Sequence, residues 1–329
     1  MRIVVWVPVA IYRNAILPAL SDTPGADLVV VDDPRELPAA LAGATGMISA
    51  GASKYTAEVA EIIRTQGSSL RWFQTVAAGN DGLAKHGIRD GITVTGSGGH
   101  SAPVVAEHAV ALLLAIAHAV PDFVSNKSSH LWGGDFRRRF RSLYGQTATV
   151  LGFGHIGKEI ARRLKAFDIR VLSVTRSGVP HELADEAFST RNLGTALARS
   201  DAVLLSLPLT RETRHIMGTA ELAMLRSSAY LVNVGRGGLV DQSALASALR
   251  DGRLAGAALD VTEPEPLPPG DPLWDTPNLI ISPHCGGAGS PESPRRLAAT
   301  VRRNLESFIA GRALAHVLDV QALIAGGPA

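Results

Sequence analysis

Among 329 residues the chain has one cysteine, Cys285. That excludes an internal disulfide and fits a reducing, cytoplasmic setting. Neither sign of charge is in excess: 32 Lys and Arg face 30 Asp and Glu. The overall balance therefore asks for no nucleic acid and no anionic membrane as partner. Long hydrophobic runs are missing too. The most apolar stretch, residues 109–120, is shorter than the roughly 20 residues a membrane span needs. Glu107, His108 and His118 flank or interrupt it, so it reads as a buried helix. The first residues, MRIVVWVPVA, lack an apolar core followed by a small-residue cleavage site and read as a first strand, not a signal peptide. Repeats of solenoid period and low-complexity tracts do not occur.

Apolar residues make up 46% of the chain, enough to bury a sizeable core, and the length suits two domains. The organising stretch is 149–177, TVLGFGHIGKEIARRLKAFDIRVLSVTRS. It reads as a strand ending at Leu151, a turn through Gly152, Gly154 and Gly157, a helix to about Phe167, and a second strand over 169–174. That order is the unit that takes the diphosphate of a dinucleotide. Gly152 permits the tight turn, Gly154 lets backbone approach the diphosphate, and Gly157 lets the helix pack closely on the strand. His155 and Ile156 complete the loop, at a helix start whose N–H groups face an anion.

Residues 1–98 alternate short β-rich runs (RIVVWV, DLVVVD, GMISA, RWFQTV, ITVT) with helix-like pieces at 34–41, 57–64 and 81–85. This is the pattern of a parallel sheet. The segment 77–81, AAGND, follows one of those strands. It is either a loop whose backbone N–H groups approach an anion or a plain structural turn. Gly96-Ser-Gly-Gly-His100 reads as a hinge before a long helix over 102–119. The polar, basic stretch 122–143, with Trp132 and Arg137 to Arg139, is either a helix and solvated loop or a subunit interface or site rim.

Beyond the glycine unit come strands AVLLSLPL, AYLVNV, GAALDV and LIISP, with a helix at 242–250. A glycine-rich turn at 286–289 precedes a helix to about Ala310, which returns the chain to the first domain. The expected fold is α/β: two Rossmann-like or flavodoxin-like doubly wound parallel-sheet domains with a cleft between them. Residues 1–98 plus 288–329 form the substrate domain, and 99–287 the dinucleotide-binding domain.

Arg236, Glu265 and His284 each follow a strand of the second sheet, at the edge where a nicotinamide would lie. Singly, each has a dull reading as an ion pair, a solvated loop residue or a hydrogen-bonded core histidine. Together they supply what reduction of a 2-oxo acid needs. Arg binds the carboxylate and polarises the carbonyl. His donates a proton as hydride arrives, and a carboxylate orients and stabilises its imidazolium. No metal enters this chemistry.

With these motifs the chain resembles the D-isomer-specific 2-hydroxyacid dehydrogenase family, which includes glyoxylate/hydroxypyruvate reductases. The matching segments are RWFQTVAAGND, VAEHAVALLLA, GFGHIG, LPLTRETRHIM, LVNVGRGGLVD, GAALDVTEPEPL and NLIISPHCGG. The resemblance implies Arg236, Glu265 and His284 as the catalytic set, with Glu265 chosen over Glu263 because it directly precedes the second proline. It implies Asp260 and Pro208 as cofactor contacts, and Ala78 and Gly79 as the loop that takes the substrate carboxylate together with Arg236 and His284. It also implies a homodimer, in which Trp132 is a weak match to a tryptophan that reaches across. Cys285 stands where aliphatic residues are common and reads as a small packed side chain.

Relatives acting on phosphoglycerate carry an arginine near 50–52, and ISAGAS has none; the chain also ends soon after its last helix, leaving no room for their regulatory domain. A small unphosphorylated 2-oxo acid, glyoxylate or hydroxypyruvate in kind, is the expected substrate and a D-2-hydroxy acid the product. Phosphite- or phosphoglycerate-type enzymes of the family, and a non-catalytic nucleotide-sensing scaffold, are the competing readings. For the cofactor, the ribose-binding position 18 residues after Gly157 is Thr175, followed by Arg176 and Ser177. No carboxylate stands there to repel a 2′-phosphate, so NADP(H) is expected over NAD(H).

Overall fold

The structure, a computed structural model, describes residues 1–52, 54–133 and 140–327. Two compact units result: Met1–Ser101 with Gly289–Pro328, and Ala102–Ala288.

The first unit carries an all-parallel sheet of β1 (Arg2–Trp6), β2 (Asp27–Val30), β3 (Gly46–Ser49), β4 (Trp72–Thr75) and β5 (Thr93–Thr95), in the order β2-β1-β3-β4-β5. The side-chain period of 2 divides β1 between two cores. Ile3 and Val5 join Ile48 and Trp72 on one face, against Ile16, Leu20, Leu297, Val301 and Leu305. Val4 and Trp6 join Met47, Phe73 and Val94 on the other, against Leu37, Leu41, Val59 and Ile63. Ile16 and Leu20 come from a helix, Ala10–Leu20, that the sequence pattern does not announce because Pro18 lies within it. Pro18 has no N–H to give the Asn14 carbonyl, and the helix ends two residues beyond it. That helix packs on Glu292–Ile309, the element that brings the chain back to this unit.

A buried polar network pins β4, and with it the loop that carries Ala78 and Gly79. Gln74 Oε1 accepts from Thr95 Oγ1 and from Asn304 Nδ2, each at 2.8 Å. Gln74 Nε2 donates to the carbonyls of Thr75 (2.8 Å) and Gly96 (2.9 Å). Every polar end of the glutamine is satisfied, which is what makes such a group tolerable in a core.

His100 is the opposite case. It is only 2% exposed, and neither ring nitrogen has a hydrogen bond of normal geometry. Its ring lies edge-on to Tyr12 at 5.4 Å. Burial holds the imidazole down at about 4, with the Arg296 charge acting in the same direction and the Ser97 backbone opposing them. The folded chain thus keeps His100 neutral where the unfolded chain protonates it, below its ordinary value of 6.5. Stability is fully present above about pH 6.5, drains away as pH falls toward about 4, and loses on the order of 3 kcal/mol across that window. In urea unfolding from pH 8 to 4, His100→Gln is expected to flatten that part of the profile. An unchanged slope contradicts the assignment.

The second unit holds β6 (Thr147–Leu151), β7 (Arg170–Thr175), β8 (Glu186–Ser189), β9 (Ala202–Leu205), β10 (Tyr230–Asn233), β11 (Gly256–Leu259) and β12 (Leu279–Ile281). All are parallel, in the order β12-β11-β10-β9-β6-β7-β8. The order reverses between β6 and β9, the crevice where open α/β sheets take their ligands. One face of the sheet packs Val150, Leu204 and Val232 under the helices Ala102–Ala117 and His155–Ala166. The other packs Leu151, Val203, Leu205 and Leu231 against Leu245 and Leu249.

Several expected boundaries shift. The units divide at Ser101/Ala102 and Ala288/Gly289, not at 98/99 and 287/288. The long helix stops at Ala117, not 119, because Ala119 turns into the left-handed region (φ 51°); a separate helix, Val120–Ser128, then starts with a proline in its first turn. The second strand of the glycine unit runs over Arg170–Thr175, one residue later than read. β8 was not foreseen: EAFS is short and only half-buried, so it carries no clear alternation. Arg137 to Arg139 lie outside the described residues. Among the described residues no single helix is long and apolar enough to cross a membrane.

Candidate active site

The glycine turn behaves as its spacing asks. Gly152 has φ +88°, and a Cβ on it would lie 2.9 Å from the Leu207 nitrogen, so the turn needs both the left-handed backbone and the missing side chain. A Cβ on Gly157 would lie 1.9 Å from the Gly152 carbonyl oxygen, so the helix can approach the strand only because that atom is absent. Gly154, by contrast, faces open space, with nothing within 4 Å of its Cβ position. It is also the N-cap of the helix His155–Ala166, with no side chain capping it. Helix N–H groups, a positive dipole end and free space above the turn suit a diphosphate.

At the end of β7, Thr175 Oγ1 accepts the Gly178 N–H at 2.9 Å, which shapes the turn. Arg176 and Ser177 are exposed. Among the described residues no carboxylate pairs with Arg176. Pro208 is exposed beyond β9, and its carbonyl accepts Thr213 Oγ1 at 2.7 Å.

The other expected residues follow three adjacent strands, in which Asn233, Leu259 and Ile281 stand in register. Arg236 comes three residues after Asn233 and His284 three after Ile281, while Glu265 comes six residues after Leu259, in the long loop between β11 and β12. The turn carrying Arg236 is pinned by the fully buried Asn233. Asn233 Nδ2 donates to the Arg236 carbonyl (2.8 Å) and its Oδ1 accepts from the Gly235 N–H (3.0 Å). Arg236 itself donates through Nη1 to the Gly235 carbonyl at 2.7 Å.

His284 Nδ1 lies 2.8 Å from Glu265 Oε2. A carboxylate only accepts, so Nδ1 carries the hydrogen and Nε2 is left to handle a proton. Glu265 Oε1 in turn accepts the Thr262 N–H at 3.2 Å, which fixes the carboxylate. Glu263 is engaged elsewhere. Arg214 grips both of its oxygens at 2.8 Å, and that guanidinium holds the Glu263 carboxyl below its usual range. The structure thus brings His284 to Glu265 and sends Glu263 to Arg214.

Asp260 is 3% exposed and ties the loop that carries His284. Its Oδ1 accepts Ser282 Oγ (2.7 Å) and the Cys285 N–H (3.0 Å), its Oδ2 accepts the Gly286 N–H (3.0 Å), and its own carbonyl accepts the His284 N–H (2.8 Å). His108 Nε2 approaches Ser282 Oγ at 3.0 Å and Asp260 Oδ1 at 3.2 Å. His108, Ser282 and Asn233 were missed as site residues. His108 lay in a recognised motif, yet a histidine on an apolar helix carries no signal until its partners are placed. Partial desolvation, then the Asp260 carboxylate, push the Cys285 thiol up, which leaves it a poor nucleophile.

In the first unit, Ala78 is exposed and Gly79 half-buried, in the loop after β4. Their loop leads into the helix Asp81–His86, whose Gly82 leaves no room for a Cβ beside the Ala52 carbonyl (2.2 Å). Trp132 is fully exposed.

Comparison with known proteins identifies the family. Residues 110–286 match the family model described as D-isomer specific 2-hydroxyacid dehydrogenase, NAD binding domain. The chain is 38% identical over 249 residues to a glyoxylate reductase of Korarchaeum cryptofilum, covering 74% of each. It is 33% identical over 306 residues to glyoxylate/hydroxypyruvate reductase B of Yersinia pestis, covering 91% of each. The crystal structure of a D-isomer specific 2-hydroxyacid dehydrogenase from Xanthobacter autotrophicus, in complex with NADPH and MES, superposes with a TM-score of 0.80 at 27% identity, covering 98% of this chain and 99% of that one. With a nucleotide-type sheet, its glycine turn and polar side chains at the ends of neighbouring strands, the chain belongs to the D-isomer specific 2-hydroxyacid dehydrogenases and is an NAD(P)-dependent oxidoreductase.

Proposed function

We propose that the chain reduces a small unphosphorylated 2-oxo acid of the glyoxylate or hydroxypyruvate kind to the D-2-hydroxy acid. One observation carries the reading: the 2.8 Å contact of His284 Nδ1 with Glu265 Oε2, in the loops after β12 and β11, the latter beside β10, whose following turn carries Arg236. The nicotinamide cofactor supplies hydride when bound. His284 Nε2 gives a proton to the oxygen of the former carbonyl, and the Glu265 carboxylate stabilises the imidazolium that delivers it. Arg236 binds the substrate carboxylate and polarises the carbonyl. The Ala78–Gly79 backbone is proposed, on the resemblance, as a second carboxylate contact, within a substrate-binding first unit.

The nucleotide is proposed to lie along the carboxyl edge of the second unit's sheet, from Thr175, Arg176 and Ser177 across Gly152, Gly154, His155, Ile156 and Gly157 to Pro208 and Asp260. With no acidic residue at the ribose end, NADPH is preferred. Charge-assisted bonds from Arg176 to a 2′-phosphate are worth roughly ten- to a hundred-fold in affinity. Arg176→Ala is expected to weaken NADPH by that factor and leave NADH almost untouched. Fluorescence titration of both cofactors reads this directly, and tighter NADH binding by the parent contradicts it.

The exposed apolar residues Val120, Phe123, Val124, Leu131 and Trp132 support a homodimer through this face. The single cysteine supports a cytoplasmic setting. A turnover panel tests substrate class: glyoxylate and hydroxypyruvate are expected to outpace phosphohydroxypyruvate, and phosphite to give no NADPH. Faster turnover of either phosphorus compound overturns the assignment.

A further inference from the structure

Three groups of different chemistry meet beside His284. A ring nitrogen of His108, a carboxylate oxygen of Asp260 and the sulfur of Cys285 all lie within 4.8 Å of one another. His108 lies in the helix Ala102–Ala117, Asp260 follows β11 and Cys285 follows β12, so three separate elements supply them. The carboxylate is buried and already oriented by the backbone N–H groups of Cys285 and Gly286. The thiol belongs to an exposed residue. We propose that His108, Asp260 and Cys285 form a binding site for a soft divalent cation of the zinc class.

Thiolate, imidazole and carboxylate are the ligand types zinc takes, and three protein ligands leave a fourth tetrahedral position to water. Zinc-to-ligand bonds of about 2.0–2.3 Å set tetrahedral ligand separations near 3.3–3.8 Å. Groups up to 4.8 Å apart therefore need to draw in by about 1.0–1.5 Å to reach that geometry. The hydrogen bonds to Asp260 act as the outer shell such a site needs. Binding replaces the thiol hydrogen by the metal and releases one proton to solvent; no electron moves.

A cation here would sit on Asp260 and one residue from His284. On the proposed reading of those two residues, zinc would exclude the nicotinamide end of the nucleotide and so inhibit turnover. The first test needs no nucleotide, so it stands apart from that reading. The full chain, stripped with a chelator, is titrated with Zn²⁺ against a chromophoric indicator, and in parallel with Co²⁺, whose thiolate charge-transfer band reports sulfur ligation. One equivalent per chain is expected, with the band present. Cys285→Ala is expected to lose the band and to bind Zn²⁺ at least about 100-fold more weakly, more than is typical for loss of an outer-shell contact. His108→Gln is expected to weaken Zn²⁺ in the same direction, while Glu265→Gln keeps parental affinity. Equal affinity in Cys285→Ala, no stoichiometric uptake by the parent, or loss confined to Glu265→Gln would each overturn the site. In the turnover assay, Zn²⁺ is expected to inhibit the parent and to spare Cys285→Ala at the same concentration.

Discussion

Replacing His284 by alanine is expected to lower kcat by roughly 10²–10⁴, the scale of a lost acid–base group, with nucleotide affinity nearly unchanged. The side chain's resolved contact is with Glu265, at 2.8 Å. Its loop is held independently by Asp260 through backbone groups, so the nucleotide surface survives the truncation. One complication is conformational. His284 has φ +51°, a region alanine adopts at a cost of about 1–2 kcal/mol, whereas asparagine tolerates it. His284→Asn keeps the turn and still removes the proton donor. Both variants are expected to lose kcat alike, as single-turnover and steady-state assays would show. If the asparagine variant kept parental turnover, the turn and not the imidazole would be what matters.

Gly157→Ala is expected to cost about 100-fold in nucleotide affinity, with a lower Tm. A methyl group at that position would stand 1.9 Å from the Gly152 carbonyl oxygen. Backbone oxygen cannot rotate away, so the start of the helix must move by about 1 Å, and a displacement of that size at a binding site is worth about 10². Gly154→Ala is the control, because the space over its Cβ position is open within the protein. That variant is expected to melt with the parent and to bind nucleotide less well, through contact with the diphosphate alone. Calorimetry of the pair separates packing from recognition. Parental affinity in Gly157→Ala would remove the close-approach argument.

What was legible in the sequence was local. The glycine unit, the strands of both sheets apart from β8, and the placing of Arg236, Glu265 and His284 after strands all rest on patterns a few residues long. Much of the rest depends on partners far along the chain. The choice of Glu265 over Glu263 rested on the resemblance; Arg214, 49 residues from Glu263, supplies a physical reason by occupying the other carboxylate. The helix Ala10–Leu20 was hidden by Pro18, and its apolar side became meaningful only with Leu297 and Leu305 against it. The halt at Ala117 is set by one left-handed residue, which composition does not reveal. His108 and Cys285 are 177 positions apart, and nothing in their spacing points to a shared partner in Asp260.

The most direct test of the central claim is the configuration of the product. Hydroxypyruvate and NADPH are incubated with the full chain, and the glycerate formed is resolved by chiral chromatography, with His284→Asn run beside it. On this account the parent gives D-glycerate and the variant gives almost none in the same time. L-Glycerate, or no glycerate with either NADPH or NADH, contradicts it.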